Sequence, residues 1–142
     1  MDFIYKRKAY YHETDQMGVI HHSNYFRWLE EARIELMIKI GLPYELMEKR
    51  GIISPIIEAS AKYIKPISFA DTAYITLKIL KYNGVKLELE YEIKNQNGDL
   101  CVKANTTSCF VKDNNVVSLK REYIEFDEAF RRFKDETNSI EK

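Results

Sequence analysis

The residues best suited to chemistry crowd into one short stretch, Tyr10-Tyr11-His12-Glu13-Thr14-Asp15-Gln16-Met17-Gly18-Val19-Ile20-His21-His22-Ser23-Asn24-Tyr25. It holds all three histidines of the protein, two carboxylates (Glu13 and Asp15) and a glycine. A mostly apolar helical pattern follows at once, from Tyr25 to about Ile40. Helix-initiating amides lack partners inside the helix and sit at its positive end. A loop that carries ionisable groups to that point suits anion or carbonyl chemistry.

By residue type alone, Asp15 reads as an Asx-turn or helix-entry residue. Its spacing adds a second reading. Gly18 lets backbone approach a ligand closely, and the helix begins a few residues later, where amides at about His22 to Asn24 are free to point outward. A carboxylate and a set of free amides can flank one carbonyl carbon. That is the requirement of acyl transfer: a nucleophile or base plus an oxyanion site. His22 suits a general acid, a substrate contact or a pocket wall. His21 and His22 are adjacent and are expected to point in different directions. His12 and Glu13 read as strand-end residues, and Tyr25 and Trp28 as core. A metal site built from His12, Glu13, Asp15, His21 and His22 has no recognised ligand spacing, so no metal is assigned. There is no GxSxG elbow, P-loop or dinucleotide fingerprint, and no cofactor is expected.

The elements that must hold this loop follow from periodicity. Phe3 to Tyr11 reads as a half-exposed strand. Ser23 or Asn24 is the expected N-cap of the long helix. Tyr25, Leu29, Ala32, Leu36 and Ile40 share a narrow helical face flanked by Trp28, while Phe26, Ile34, Met37 and Ile38 fall outside it. A helix apolar on most sides is largely enclosed or covered by a second chain. Gly41 and Pro43 end it, and Tyr44 to Arg50 forms a short second helix. Period two then takes over. A strand lies within Ile52 to Ile64, and further strands span Thr72 to Tyr82, Val85 to Lys94 and Asp99 to Lys112, with hairpin signals at Asn83-Gly84 and Asn97-Gly98. Glu122 to Phe133 is helical again, and the tail after Lys134 is expected to fray. Successive hairpins demand an antiparallel meander whose apolar face needs a cover, and the long helix is the element of the right size. The expected fold is α+β: one domain, residues 1–142, with an antiparallel sheet wrapped around one central helix.

The totals agree. The chain has 142 residues, 22 basic and 22 acidic, so no basic field favours nucleic acid or an anionic membrane surface. The first residues lack a signal-like apolar run and no stretch reaches transmembrane length, so membrane insertion is not expected and the cytoplasm is. Cys101 and Cys109, if on one extended strand, lie about 26 Å apart, too far to bridge. Two lone thiols suit a reducing compartment.

Thr14-Asp15-Gln16-Met17-Gly18-Val19-Ile20-His21-His22-Ser23-Asn24-Tyr25-Phe26 followed by Glu30-Glu31-Ala32-Arg33 resembles the signature of the hotdog-fold acyl-CoA thioesterases. More narrowly, it resembles the 4-hydroxybenzoyl-CoA and Tol-Pal-cluster thioesterase group. Tyr63-Ile64-Lys65-Pro66 and Asp71 resemble that family's turn between its second and third strands. The resemblance runs to about Lys120. It implies hydrolysis of an acyl-CoA to carboxylic acid and free CoA, with Asp15 as nucleophile or general base. It implies that the His22 amide polarises the thioester carbonyl while the His22 side chain assists. Gly18, Val19 and Tyr25 are implied at the substrate pocket, and Lys86 near the CoA phosphates. It further implies a homodimer or homotetramer with the active site at a subunit interface. Gln16-Met17 and Ile20-His21 depart from the family's usual residues, so substrate choice does not carry over. The rival expectation is a non-catalytic acyl-CoA or acyl-carrier-protein binding module on the same fold, for which Asp15 would be dispensable.

Overall fold

The computed structural model describes residues 3–140. Its elements are β1 (Phe3–Lys8), a 3-10 turn (Tyr11–Glu13), α1 (His22–Lys39), α2 (Tyr44–Lys49), β2 (Ile56–Tyr63), β3 (Thr72–Tyr82), β4 (Lys86–Lys94), β5 (Leu100–Cys109), β6 (Val111–Lys112), β7 (Asn115–Val116), α3 (Leu119–Glu122) and α4 (Ile124–Ile140). Five antiparallel strands form one sheet in the order β1-β3-β4-β5-β2, and β6 pairs with β7. This is the hotdog arrangement: an antiparallel sheet packed on one long helix.

Alternation explains which face meets the helix. Ala73, Ile75, Leu77 and Ile79 of β3 are buried, as are Leu87, Leu89, Tyr91 and Ile93 of β4. The intervening positions carry charges such as the Lys78–Glu90 pair. Against that face α1 sets Tyr25, Trp28, Leu29, Ala32 and Leu36, all buried. Met37 joins them, although the helical projection leaves it off the apolar stripe. On the same side of α1, Arg33 Nε donates to the Tyr44 hydroxyl of α2 at 3.0 Å. Ile40, projected onto the stripe, is only half-buried at the helix end. Phe26, Ile34 and Ile38 remain exposed.

Element ends differ from expectation where local hydrogen bonds intervene. β1 stops at Lys8: the Ala9 N–H still donates in register to the Asp71 carbonyl, but the Ala9 carbonyl is met by Ala70, in the left-handed region, while the Asp71 N–H turns to Ser68. β5 ends at Cys109, and a separate two-residue strand resumes at Val111. The final helix continues to Ile140 instead of fraying after Lys134. It lays Phe126, Phe130 and Phe133 into the core, and Tyr82 of β3 donates to its Asp127 at 2.6 Å. Cys101 and Cys109 both lie on β5 and are free. Edge strand β2 is exposed over almost its whole length and presents Ile56, Ile57 and Tyr63. No described helix is long and apolar enough to cross a membrane.

Candidate active site

The Asp15 loop is a tight, internally bonded hairpin. The Asp15 N–H donates to the Val19 carbonyl at 2.8 Å, and the Gly18 N–H to the Asp15 carbonyl at 3.1 Å. Gly18 has φ +78°, the left-handed region that favours glycine, and a Cβ there would meet nothing within 4 Å. The turn itself therefore requires this glycine. Val19 bridges to Ser68, and the Ile20 N–H donates to the Ile67 carbonyl at 2.8 Å. The loop is thus pinned to the segment joining β2 to β3.

Asp15 is half-buried, and its Oδ1 accepts from the Met17 N–H at 2.8 Å and the Val19 N–H at 3.4 Å. The Asx-turn reading is therefore real. Both bonds fall on Oδ1, and Oδ2 takes no bond among the described residues. Asp15 both shapes the turn and presents a second carboxylate oxygen.

The helix begins earlier than the spacing of Ser23 and Asn24 indicates. His21 is the N-cap: its ring Nδ1 accepts from the Ser23 N–H at 3.2 Å, and its carbonyl from the Asn24 N–H at 3.0 Å. The Ser23 and Asn24 amides are therefore occupied. The His22 N–H is different, for it meets no acceptor among the described residues. His21 is thus a capping residue. The two histidines do not diverge: their rings lie 4.2 Å apart at 30°. His22 is exposed and its ring faces Tyr63 at 6.4 Å.

Tyr25 is buried between Trp28, edge-on at 5.5 Å, and Tyr63 at 5.4 Å. Burial pushes its hydroxyl up to about 12, and the Asp15 charge adds to that push. Asp15 and Tyr25 are therefore electrostatic neighbours. Tyr63, at the end of β2, joins His22 and Tyr25 in one aromatic cluster. Its only signal in the sequence is the Tyr63-Ile64-Lys65-Pro66 turn. Exposed Met17, Ile64 and Phe69 are further apolar groups on the loop and on the segment that follows β2.

Lys86 is not part of this cluster. It begins β4 opposite Cys109, whereas Tyr63 pairs with Val102 near the start of β5. Some seven or eight residues of strand place it on the order of 25 Å from the loop within one chain. It lines a cleft with Lys81, Tyr82 and Lys134.

Glu13 departs most from expectation. It is not a strand-end residue but a buried carboxylate at the close of the 3-10 turn. It pairs with Arg7, accepts from Trp28 Nε1 at 2.9 Å and from the Tyr10 N–H at 2.9 Å. Burial alone would raise its pKa; those hydrogen bonds outweigh it and hold the carboxyl below its ordinary range. No group of three or more His, Cys, Asp or Glu among the described residues is placed to hold a metal.

A family model described as the Thioesterase-like superfamily matches residues 11–133, which span the loop, α1 and all of the sheet except β1. The chain belongs to the thioesterase-like superfamily. It is 40% identical over 97 residues to a Bacillus subtilis protein named "Putative acyl-CoA thioesterase YneP", covering 68% of this chain and 70% of that one. A 1,4-dihydroxy-2-naphthoyl-CoA hydrolase of Thermosynechococcus vestitus is 27% identical over 103 residues, covering 72% and 70%. Among solved structures, a DHNA-CoA thioesterase from Staphylococcus aureus superposes with a TM-score of 0.90 at 33% identity, covering 97% and 94%. The thioesterase-like chain is thus of the hotdog thioester hydrolase class.

Proposed function

We propose that this protein hydrolyses acyl-CoA thioesters to a carboxylic acid and free CoA. The observation that carries the reading is a half-buried carboxylate, one oxygen of which takes no bond among the described residues, on the loop that leads into the His22 N–H at the start of α1, which likewise meets no acceptor among them. The thioester carbonyl oxygen would accept from that N–H, where the helix dipole favours the charge that develops on it. Asp15 would attack the carbonyl carbon or deprotonate the attacking water. Cleavage of the C–S bond then releases CoA thiolate, which takes the proton given up by water, and where Asp15 is the nucleophile that water hydrolyses the acyl–Asp15 mixed anhydride to free the carboxylic acid and restore the carboxylate. The His22 imidazole lies beside this point, and Tyr25 and Tyr63 give the acyl group an aromatic wall. The named relatives suggest aromatic acyl groups as the first class to try, with aliphatic chains as the alternative.

The same reading includes a homodimer or homotetramer. The free edge of β2 and the exposed Ile34, Ile38, Ile56 and Ile57 suit a second copy of the chain. In this reading Lys86, on the order of 25 Å from its own loop, serves CoA phosphates from that second copy. The free cysteines Cys101 and Cys109 fit a cytoplasmic setting.

The test is thiol release over a panel of aromatic and aliphatic acyl-CoAs. Activity should fall by about 100- to 10,000-fold in both Asp15→Asn and Asp15→Ala, the range expected when a base or nucleophile is lost. Asn can still accept the Met17 and Val19 N–H bonds, so an active Asp15→Asn beside an inactive Asp15→Ala would reduce Asp15 to its turn role.

A further inference from the structure

Glu13 is tied to more elements than any other polar residue around the loop. From its side chain, one carboxylate oxygen meets Arg7 of β1 and the Tyr10 amide, and the other meets Trp28 Nε1 of α1. From its main chain, the carbonyl accepts the His21 N–H at 2.9 Å and the Asn24 side-chain amide at 2.9 Å. Arg7 is itself fixed by Glu31 of α1, with Nε donating at 3.1 Å, and by its own position over the Tyr10 and Trp28 rings. Glu31 also accepts from the Tyr5 hydroxyl at 2.9 Å. One buried residue therefore joins the edge strand, the underside of the helix and the helix cap.

The two ends of this clamp bear on the proposed site differently. Asp15 lies two residues beyond Glu13, and the rungs from Glu13 to His21 and from Asp15 to Val19 close the same hairpin. His22 follows directly on the amide that Glu13 holds. The separation of the Asp15 carboxylate from the His22 N–H is thus set by the chain between two rungs, with Glu13 anchoring one of them.

We propose that Glu13, clamped by Arg7 and Trp28, is a positioning residue that fixes the Asp15 carboxylate relative to the His22 amide. It touches no substrate and acts through those two groups. This rests on the thioesterase reading above. A bound thioester must sit with its carbonyl carbon at Asp15 and its oxygen at the amide, and displacement of either by about 1 Å is enough to cost about 100-fold in rate. Ground-state binding of CoA and acyl group depends on other surfaces, so KM is insulated from the clamp.

The experiment measures kcat and KM for the acyl-CoA cleaved fastest in the panel, using Glu13→Gln and Trp28→Phe in the wild-type and Asp15→Asn backgrounds. Circular dichroism melting reports the folded fraction of each. Trp28→Phe removes the indole N–H donor to Glu13 while leaving a ring to pack against Tyr25 and Arg7, so it carries the test if Glu13→Gln does not fold. The expected result is a fall in kcat of about tenfold or more with KM within about twofold, and a much smaller fall when Asp15 is already Asn. Unchanged kcat in folded variants overturns the proposal. So does an equal fall in both backgrounds, which is what simple loss of folded protein produces. Full activity of Asp15→Asn alone overturns instead the reading on which the proposal rests.

Discussion

A proline at position 22 separates the backbone of that residue from its side chain. His22 is the first residue of α1, and it follows an N-cap whose φ is −65° and ψ 138°. That extended conformation is the one a residue before proline prefers, and proline itself is favoured at the first helical position. The His22 N–H meets no acceptor among the described residues, so His22→Pro removes no internal hydrogen bond. The change should cost the fold no more than about 0.5 kcal/mol, as an ordinary surface substitution does. It deletes the one amide proposed to meet the thioester oxygen. Loss of a single oxyanion donor lowers kcat by about 100- to 1,000-fold, or about 3–4 kcal/mol of transition-state stabilisation. His22→Ala is the partner variant, because it keeps the N–H and loses only the ring with its contacts to His21 and Tyr63. Thiol release at saturating acyl-CoA, with thermal melting of each variant, gives the comparison. If His22→Pro melts like wild type and turns over within about threefold of His22→Ala, the amide does not stabilise the transition state and the reasoning fails.

Three further outcomes are expected. Phe130→Ala removes a fully buried ring packed between Tyr82 at 5.4 Å and Phe110 at 5.6 Å, and should cost about 3–5 kcal/mol of stability, lowering the melting midpoint by roughly 10–17 °C; calorimetry checks it. Glu13 has its folded pKa lowered, so its charge contributes stability above the unfolded carboxyl range that is lost as pH falls through the folded value. Urea midpoints measured from neutral pH downward should therefore fall less steeply in Glu13→Gln than in wild type. Lys86→Glu should raise KM for acyl-CoA by about tenfold, the loss of one phosphate contact worth about 1.4 kcal/mol, and leave KM for the matching acyl-pantetheine unchanged; an equal effect on both removes Lys86 from the CoA site.

Much of the architecture is written in local pattern. Strand β3 begins and ends where alternation places it, Thr72 to Tyr82, because a one-residue slip would turn Ala73, Ile75, Leu77 and Ile79 to solvent. The cover on the sheet follows from the long apolar helix, and the turn at Gly18 from a glycine where φ is positive. The expectation of Asp15 at a helix start likewise needs only spacing along the chain. These features rest on neighbours in sequence, which is why residue order alone determines them.

Tertiary structure decides the rest. Met37, off the apolar stripe, is buried in the folded chain, and His21 is held at the helix start by the Glu13 carbonyl across the hairpin. Tyr63 reaches His22 and Tyr25 only when edge strand β2 is laid beside β5. Glu13 becomes a buried clamp only when Arg7 and Trp28, six residues before it and fifteen after, converge on its carboxylate. A buried charge is tolerated where partners from separate elements surround it, and no period of two or 3.6 announces that meeting. The sequence by itself therefore determined the sheet, the helix and the stretch that carries the chemistry. Only the folded chain decided how that stretch is held, because the groups that hold it lie on different elements.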